Sequence, residues 1–160
     1  MSDSQSNIHR KKIGLVLGSG SARGWAHIGV IRELGEMGIE PDIVCGASTG
    51  ALVGAIYVMG KLDLLESWAR TMSTLDVVKY FDVRLVMGGG FVEGKWLMDF
   101  LRSRFGEAEI ESLPKPFGAV ATDLRTGHEV WFRKGPLWDA LRASISIPRR
   151  RRRYRESSAL

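Results

Sequence analysis

An α/β fold with a mostly parallel sheet is what these 160 residues predict, and two successive junctions predict it. Ile13-Gly-Leu-Val-Leu17 is an apolar run of strand length that passes straight into Gly18-Ser-Gly-Ser-Ala-Arg-Gly24 and then into a helical pattern. Asp42 to Ala47 is a second such run, which turns at Ser48 into an apolar helix reaching Tyr57. Strand, turn, helix, twice over, opens a parallel sheet, because a parallel neighbour is reached only by a crossover and a helix is the usual one. Composition agrees. Apolar residues make up 44% and charged residues 26%, and the length suits one domain with a core but not two.

Each element has its own signal. Met1 to Lys12 is polar, and residues 1–12 are expected to be a disordered lead. In the first helix His27, Val30, Ile31, Leu34 and Met37 recur at three- and four-residue spacing, with Arg32, Glu33 and Glu36 opposite and Gly38 as the C-terminal cap. Leu62, Leu65, Ala69 and Met72, with Trp68 beside them, mark another amphipathic helix. Lys79 to Met87 has no clear period, and Gly88-Gly-Gly90 reads as a surface loop rather than the hinge of a lid. From Lys95 onward Leu97, Met98, Leu101 and Phe105 return to helical spacing. Pro114 and Pro116 bound a loop, Phe117 to Thr122 suits a strand, and Thr126-Gly127 turns the chain. His128 to Arg133 then alternates, with Val130 and Phe132 on one face, so the pair is a hairpin. Pro136 opens a last helix with Leu137, Leu141 and Ser144 on one stripe, stopped before Pro148. The folded unit is therefore expected over residues 13–148. Residues 149–160 have no hydrophobic period and are expected to be a disordered, arginine-rich tail, with the change of character that a frameshifted or prematurely ended reading frame gives.

Charge and cysteine exclude several classes. The net charge of +5 lies wholly in that tail: residues 1–148 carry 17 Lys+Arg against 17 Asp+Glu, and Arg149 to Arg153 with Arg155, less Glu156, leave five. A nucleic-acid surface needs its basic groups spread over a face, so none is expected. Cys45 is the sole cysteine, which precludes an internal disulfide; it is expected as a small buried hydrophobe in a reducing compartment. The first apolar run is too short for a signal sequence and no run approaches a membrane span, so the expectation is a cytoplasmic protein. No cluster of His, Cys or carboxylates has metal-ligand spacing, and no cofactor is expected.

The chemistry centres on Gly46-Ala47-Ser48-Thr49-Gly50, a G-x-S-x-G at a strand-to-helix turn. There a sharp turn pushes the serine hydroxyl outward, and flanking glycines let neighbouring backbone close in. The helix N-terminus beyond it favours the negative charge that develops in acyl transfer. An ordinary helix N-cap followed by small packing residues would be written with the same letters. The earlier turn, Gly18 to Gly24, also has two readings. As a dinucleotide fingerprint it fails on spacing, because Arg23 stands where G-x-G-x-x-G needs its last glycine, although Glu40 or Asp42 could serve as the ribose partner. As a turn presenting backbone N–H groups to an oxyanion it suits a serine hydrolase.

Four stretches together, Leu17 to Val30, Gly46 to Gly50, Ala121-Thr-Asp-Leu-Arg-Thr-Gly127 and Arg142-Ala-Ser-Ile-Ser-Ile-Pro148, resemble the bacterial patatin-like phospholipases of the neuropathy-target-esterase type. The resemblance covers about residues 12–148 in order and spacing. It implies a three-layer α/β fold and hydrolysis of lipid or phospholipid carboxyl esters by a Ser-Asp dyad, with Ser48 as the nucleophile. The family's oxyanion loop, G-G-G-x-[KR]-G, falls on Ser19, Gly20, Ser21, Ala22, Arg23 and Gly24, so serine replaces two leading glycines. Gly20, Ser21, Arg23 and Gly24 are the oxyanion-hole residues it implies. The dyad aspartate of the family stands in a D-G-[GA] motif, and the 160 residues contain no Asp-Gly. The domain is thus expected to be incomplete at its C-terminus and the chain inactive, since serine without a base is a poor nucleophile. His128 is a substitute base to weigh, with Asp76 or Asp123 as middle member, although Asp123 matches a family position that looks structural. His27, on the first helix's inner stripe, reads as a core histidine. The rivals to a lipid hydrolase, acting in the cytoplasm or peripherally at the inner membrane face, are an inactive remnant that binds a partner and a dinucleotide-binding module.

Overall fold

The structure is a computed structural model and describes residues 11–72 and 90–146, the side chains of 90–96 excepted. Strand β1 is Gly14–Leu17, and a 3-10 turn, Ser21–Trp25, leads into helix α1, Ala26–Glu36. Strand β2, Ile43–Ala47, is followed by α2, Thr49–Val58, and α3, Leu62–Thr71. Helix α4, Gly90–Phe105, precedes a second 3-10 turn, Ile110–Ser112. Strands β3, Phe117–Thr122, and β4, Glu129–Phe132, form the hairpin, and α5, Leu137–Ile145, follows. The strand order is β1-β2-β3-β4, with the first three parallel and β4 antiparallel, so the α/β class and the mostly parallel sheet are as expected.

Both parallel crossovers step the same way across the sheet, and a right-handed crossover then places both sets of helices on one face. That face carries Leu15, Leu17, Val44, Phe117 and Ala119, and α2 lies on it. Helix α2 is apolar all round because it is enclosed: Ala51 to Ile56 are fully buried between the sheet, α3 and α5. The opposite face carries Val16, Cys45 and Gly118 in one row, with Ile43 and Trp131 in the adjacent rows. Among the described residues no helix covers it, and Val16 is 76% exposed. A second helical layer of a three-layer fold would lie there. Cys45 belongs to this face and is half-buried, a correction to its expected burial. Val130 and Phe132 do share one face, alternating with exposed Glu129 and Trp131.

Local departures are informative. Helix α1 buries Ile28 and Ile31, whereas Val30 and Met37 are 51% and 63% exposed. The same spacing fits two adjacent lines on a helix, and packing against α2 selects the Ile28 line. Gly38 ends the helix as expected. It holds φ +71 while Ile39 N–H donates to Leu34 O and Gly38 N–H to Gly35 O, the Schellman pattern. Gly90 is the first residue of α4 rather than part of a loop, so that helix begins five residues before Lys95. Pro136 is the N-cap of α5 and Leu137 its first residue. Residues 1–10, 73–89 and 147–160, which include Lys79 to Met87, Gly88, Gly89 and the arginine tail, lie outside the described residues. No helix among the described residues is long and apolar enough to cross a membrane.

Candidate active site

Ser48 stands between β2 and α2, at the C-terminal edge of the parallel strands. Its backbone holds φ 53, ψ −124, outside the ordinary regions for a side chain with a Cβ. It occupies the N-cap position of α2, yet its side chain makes no cap hydrogen bond. Among the described residues no group hydrogen-bonds Ser48 Oγ. The N-cap reading needs that bond, because a capping serine is defined by its oxygen accepting an N–H of the first turn. The flanking glycines are required by close approach. A Cβ on Gly46 would lie 2.6 Å from the carbonyl of Gly50, and one on Gly50 would lie 2.3 Å from Leu17 O and 2.4 Å from Gly18 O.

The turn is also held from α5. Ser144 Oγ accepts the Ser48 N–H at 2.7 Å and donates to Val120 O at 2.6 Å. Sequence reading placed Ser144 on the inner stripe of α5 and missed this function. The available signal was a hydroxyl at a half-buried position, which must find partners.

Beside Ser48 runs the glycine turn after β1. Arg23 N–H donates to Gly20 O at 2.9 Å, so the Gly20–Ser21 peptide turns its carbonyl inward and, being trans, points the Ser21 N–H the other way. Ser21 carries φ 48, a conformation that favours glycine, so the serine that replaces a leading glycine of the family's loop is accommodated in the left-handed region. Two contacts hold the loop there. Thr49 Oγ1, on a side chain 1% exposed, donates to Ser21 O at 3.1 Å, and His27 Nε2 donates to Gly18 O at 2.8 Å. Gly24 is packed so closely on Thr49 that a Cβ would meet its side chain at 2.6 Å. The structure thus brings Ser21 and Gly24 against Thr49, and Leu17 and Gly18 against Gly50, with Gly20 heading the same turn and Arg23 exposed at the loop surface.

The candidate bases divide. His27 is half-buried and engaged with Gly18 O, a structural use. Asp123 accepts from Arg125 N–H at 2.8 Å and Thr126 N–H at 3.2 Å, capping the turn of the hairpin. His128 is exposed and lies just before β4, and its N–H donates to Thr126 Oγ1. Asp76 lies outside the described residues. A groove of about 580 Å³ lined by Ile43, Cys45, Leu113, Lys115 and Trp131 opens at the other, N-terminal end of β2 and β3, remote from Ser48.

The family model for patatin-like phospholipases matches residues 15–149. Over 137 residues the chain is 42% identical to an uncharacterized NTE family protein of Mycobacterium tuberculosis, covering 86% of this chain and 38% of that protein. It is 39% identical over 140 residues to a patatin-like phospholipase domain-containing protein of Caenorhabditis elegans, covering 84% of this chain and 10% of the relative. Over a further 140-residue match it is 33% identical to the neuropathy target esterase sws of Drosophila sechellia, covering 84% and 9%. The chain spans less than two fifths of the length of each of these relatives. Because the family match runs from β1 through α5 and takes in both turns around Ser48, the chain belongs to the patatin-like phospholipase family.

Proposed function

We propose that this chain carries the nucleophile and oxyanion half of a serine acyl hydrolase acting on lipid, including phospholipid, carboxyl esters. The observation that carries the reading is a serine at a helix N-terminus whose hydroxyl does not cap that helix. Ser48 Oγ would attack the ester carbonyl. The alkoxide so formed would be held by the Gly20 and Ser21 amides, with Arg23 and Gly24 shaping the loop and the α2 N-terminus adding its favourable potential. Ser48's own N–H is already engaged by Ser144 Oγ, so in this arrangement the donors come from the glycine turn. The dinucleotide reading is the lesser alternative, since Arg23 stands where its fingerprint needs the third glycine.

The base is the aspartate of a Ser-Asp dyad, and these 160 residues hold no Asp-Gly pair that fits it. Asp123 is occupied as a turn cap. The second reading, a polypeptide that lacks turnover and acts by binding, is favoured by the occupation of Asp123 as a turn cap. A cytoplasmic location, which the single cysteine suits, with peripheral contact at the inner membrane face where a lipid ester would be met, is part of this proposal. Incubation with a fluorophosphonate and peptide mapping tests the reading. Slow modification at Ser48, lost in Ser48→Ala, is the expected result, whereas equal labelling of the variant rejects Ser48.

A further inference from the structure

We propose that Ser144 is a positioning residue for Ser48, a role that rests on reading Ser48 as the nucleophile. Ser48 holds φ 53, ψ −124, a sparsely populated region that persists only where the surroundings fix it. Gly46 and Gly50 leave room for that turn but cannot hold it, since they offer no side chain. Ser144 supplies the hold. A serine hydroxyl has one proton and two lone pairs. Donation to Val120 O at 2.6 Å fixes its rotation, which aims a lone pair at the Ser48 N–H, 2.7 Å away.

Three elements meet at this one oxygen: α5, the end of β3, and the turn between β2 and α2. Val120 pairs with Ala47, the residue before Ser48, so the hydroxyl joins two adjacent strand ends as well as the turn. Consequently the direction of the Ser48 side chain is set by a residue 96 positions along the chain. Without the Ser144 hydroxyl the Ser48 N–H would lose its partner in a partly buried place, and the strained turn could relax toward ordinary helix-cap geometry with Oγ turned onto the amides of α2. That would convert an outward hydroxyl into a cap.

The test compares Ser144→Ala, Ser144→Thr and Ser144→Cys with the unchanged chain by two readouts: amide hydrogen exchange at Ser48, and the rate at which a fluorophosphonate modifies Ser48. Loss of one hydrogen bond should speed Ser48 amide exchange about tenfold in Ser144→Ala and slow labelling by about as much. Ser144→Thr, which keeps the hydroxyl, should restore both to within about threefold, and Ser144→Cys, a weak donor and acceptor, should fall between. A lower melting temperature in Ser144→Ala with unchanged Ser48 exchange and labelling would overturn the proposal, since a purely structural role would give that pattern. Loss in Ser144→Thr as complete as in Ser144→Ala would overturn it too. If the unchanged chain is labelled no faster than Ser48→Ala, the nucleophile reading itself fails, while exchange at Ser48 still decides whether Ser144 holds the turn. Should Ser144→Ala not fold, the ranking of Thr over Cys in both readouts decides.

Discussion

Gly46, Gly50 and Gly24 surround Ser48 because the chain passes itself there at distances that no Cβ tolerates. At Gly50 the obstructing atoms are two backbone carbonyl oxygens at the end of β1, which cannot rotate aside as a side chain can. Gly50→Ala should therefore cost about 3 kcal/mol or more, the upper end of overpacking, measured by urea unfolding. Gly29, inside α1, meets nothing within 4 Å, and Gly29→Ala should instead stabilise by about 0.5–1 kcal/mol. Equal effects at the two sites would refute the close-approach account. The letters G-x-S-x-G do not separate a nucleophile turn from an N-cap. The distinction lies in φ 53 and in a hydroxyl that makes no cap bond, both properties of folded backbone. The glycines at 46 and 50 were nevertheless readable as close-approach positions from the motif alone.

Between elements, α1 and α3 are joined by a charge cluster in which Arg32 meets Asp63 and Glu66, and Glu66 also meets Arg70 at 2.7 Å. The Arg70 hydrogen bond, followed by that from Arg32, holds the Glu66 carboxyl below its ordinary value of 4.5. A lowered folded-state value means that the ionised form favours folding. Its contribution is present above pH 4.5 and is lost as pH falls through the folded-state value. Glu66 is half-buried but its arginine partners are exposed, so the effect is small and salt-sensitive. Glu66→Gln should thus flatten the acid limb of stability against pH, with the difference from the unchanged chain shrinking in 1 M salt, where the Debye length is about 3 Å. A steeper acid limb in the variant would contradict the assignment. The inter-helix partners lie 31 and 34 residues apart, Arg70 pairs with Glu66 one turn away, and only that local pair follows from helical spacing. The rotation of α1 shows the same limit. Spacing marked its apolar side but left Ile28 against Val30 to be decided by the neighbouring helices.

Across the whole molecule the sheet is covered by helices on one face, while the other presents Val16 at 76%, Ile43 at 44% and Trp131 at 45% exposure among the described residues. A contiguous apolar sheet face with strand edges at β1 and β4 favours association. The polypeptide of residues 1–160 should bind a hydrophobic dye strongly or elute as aggregate, and Val16→Thr combined with Ile43→Thr should reduce both. Dye binding unaffected by the pair would place the exposed surface elsewhere. On the proposed reading the same polypeptide should hydrolyse p-nitrophenyl esters no faster than its Ser48→Ala variant, because oxyanion donors without the dyad aspartate would leave only about 10³-fold over water. A sharply melting monomer with Ser48-dependent turnover would bring His128 forward as base.

What the sequence determined by itself is whatever depends on neighbours along the chain. Strands, helices, the βα junctions, the Gly38 cap and the place of Ser48 at a turn all follow from local spacing and backbone preference, and four motifs in order identified the family. Tertiary structure alone decided what depends on partners far away: which face of the sheet is covered, which line of α1 is buried, and that Ser144, Thr49 and His27 each tie a turn to another element. The reason is physical. A hydroxyl or imidazole satisfies its hydrogen bonds with whatever folding brings within about 3 Å, and sequence spacing carries no record of that distance once the partner lies on a different element.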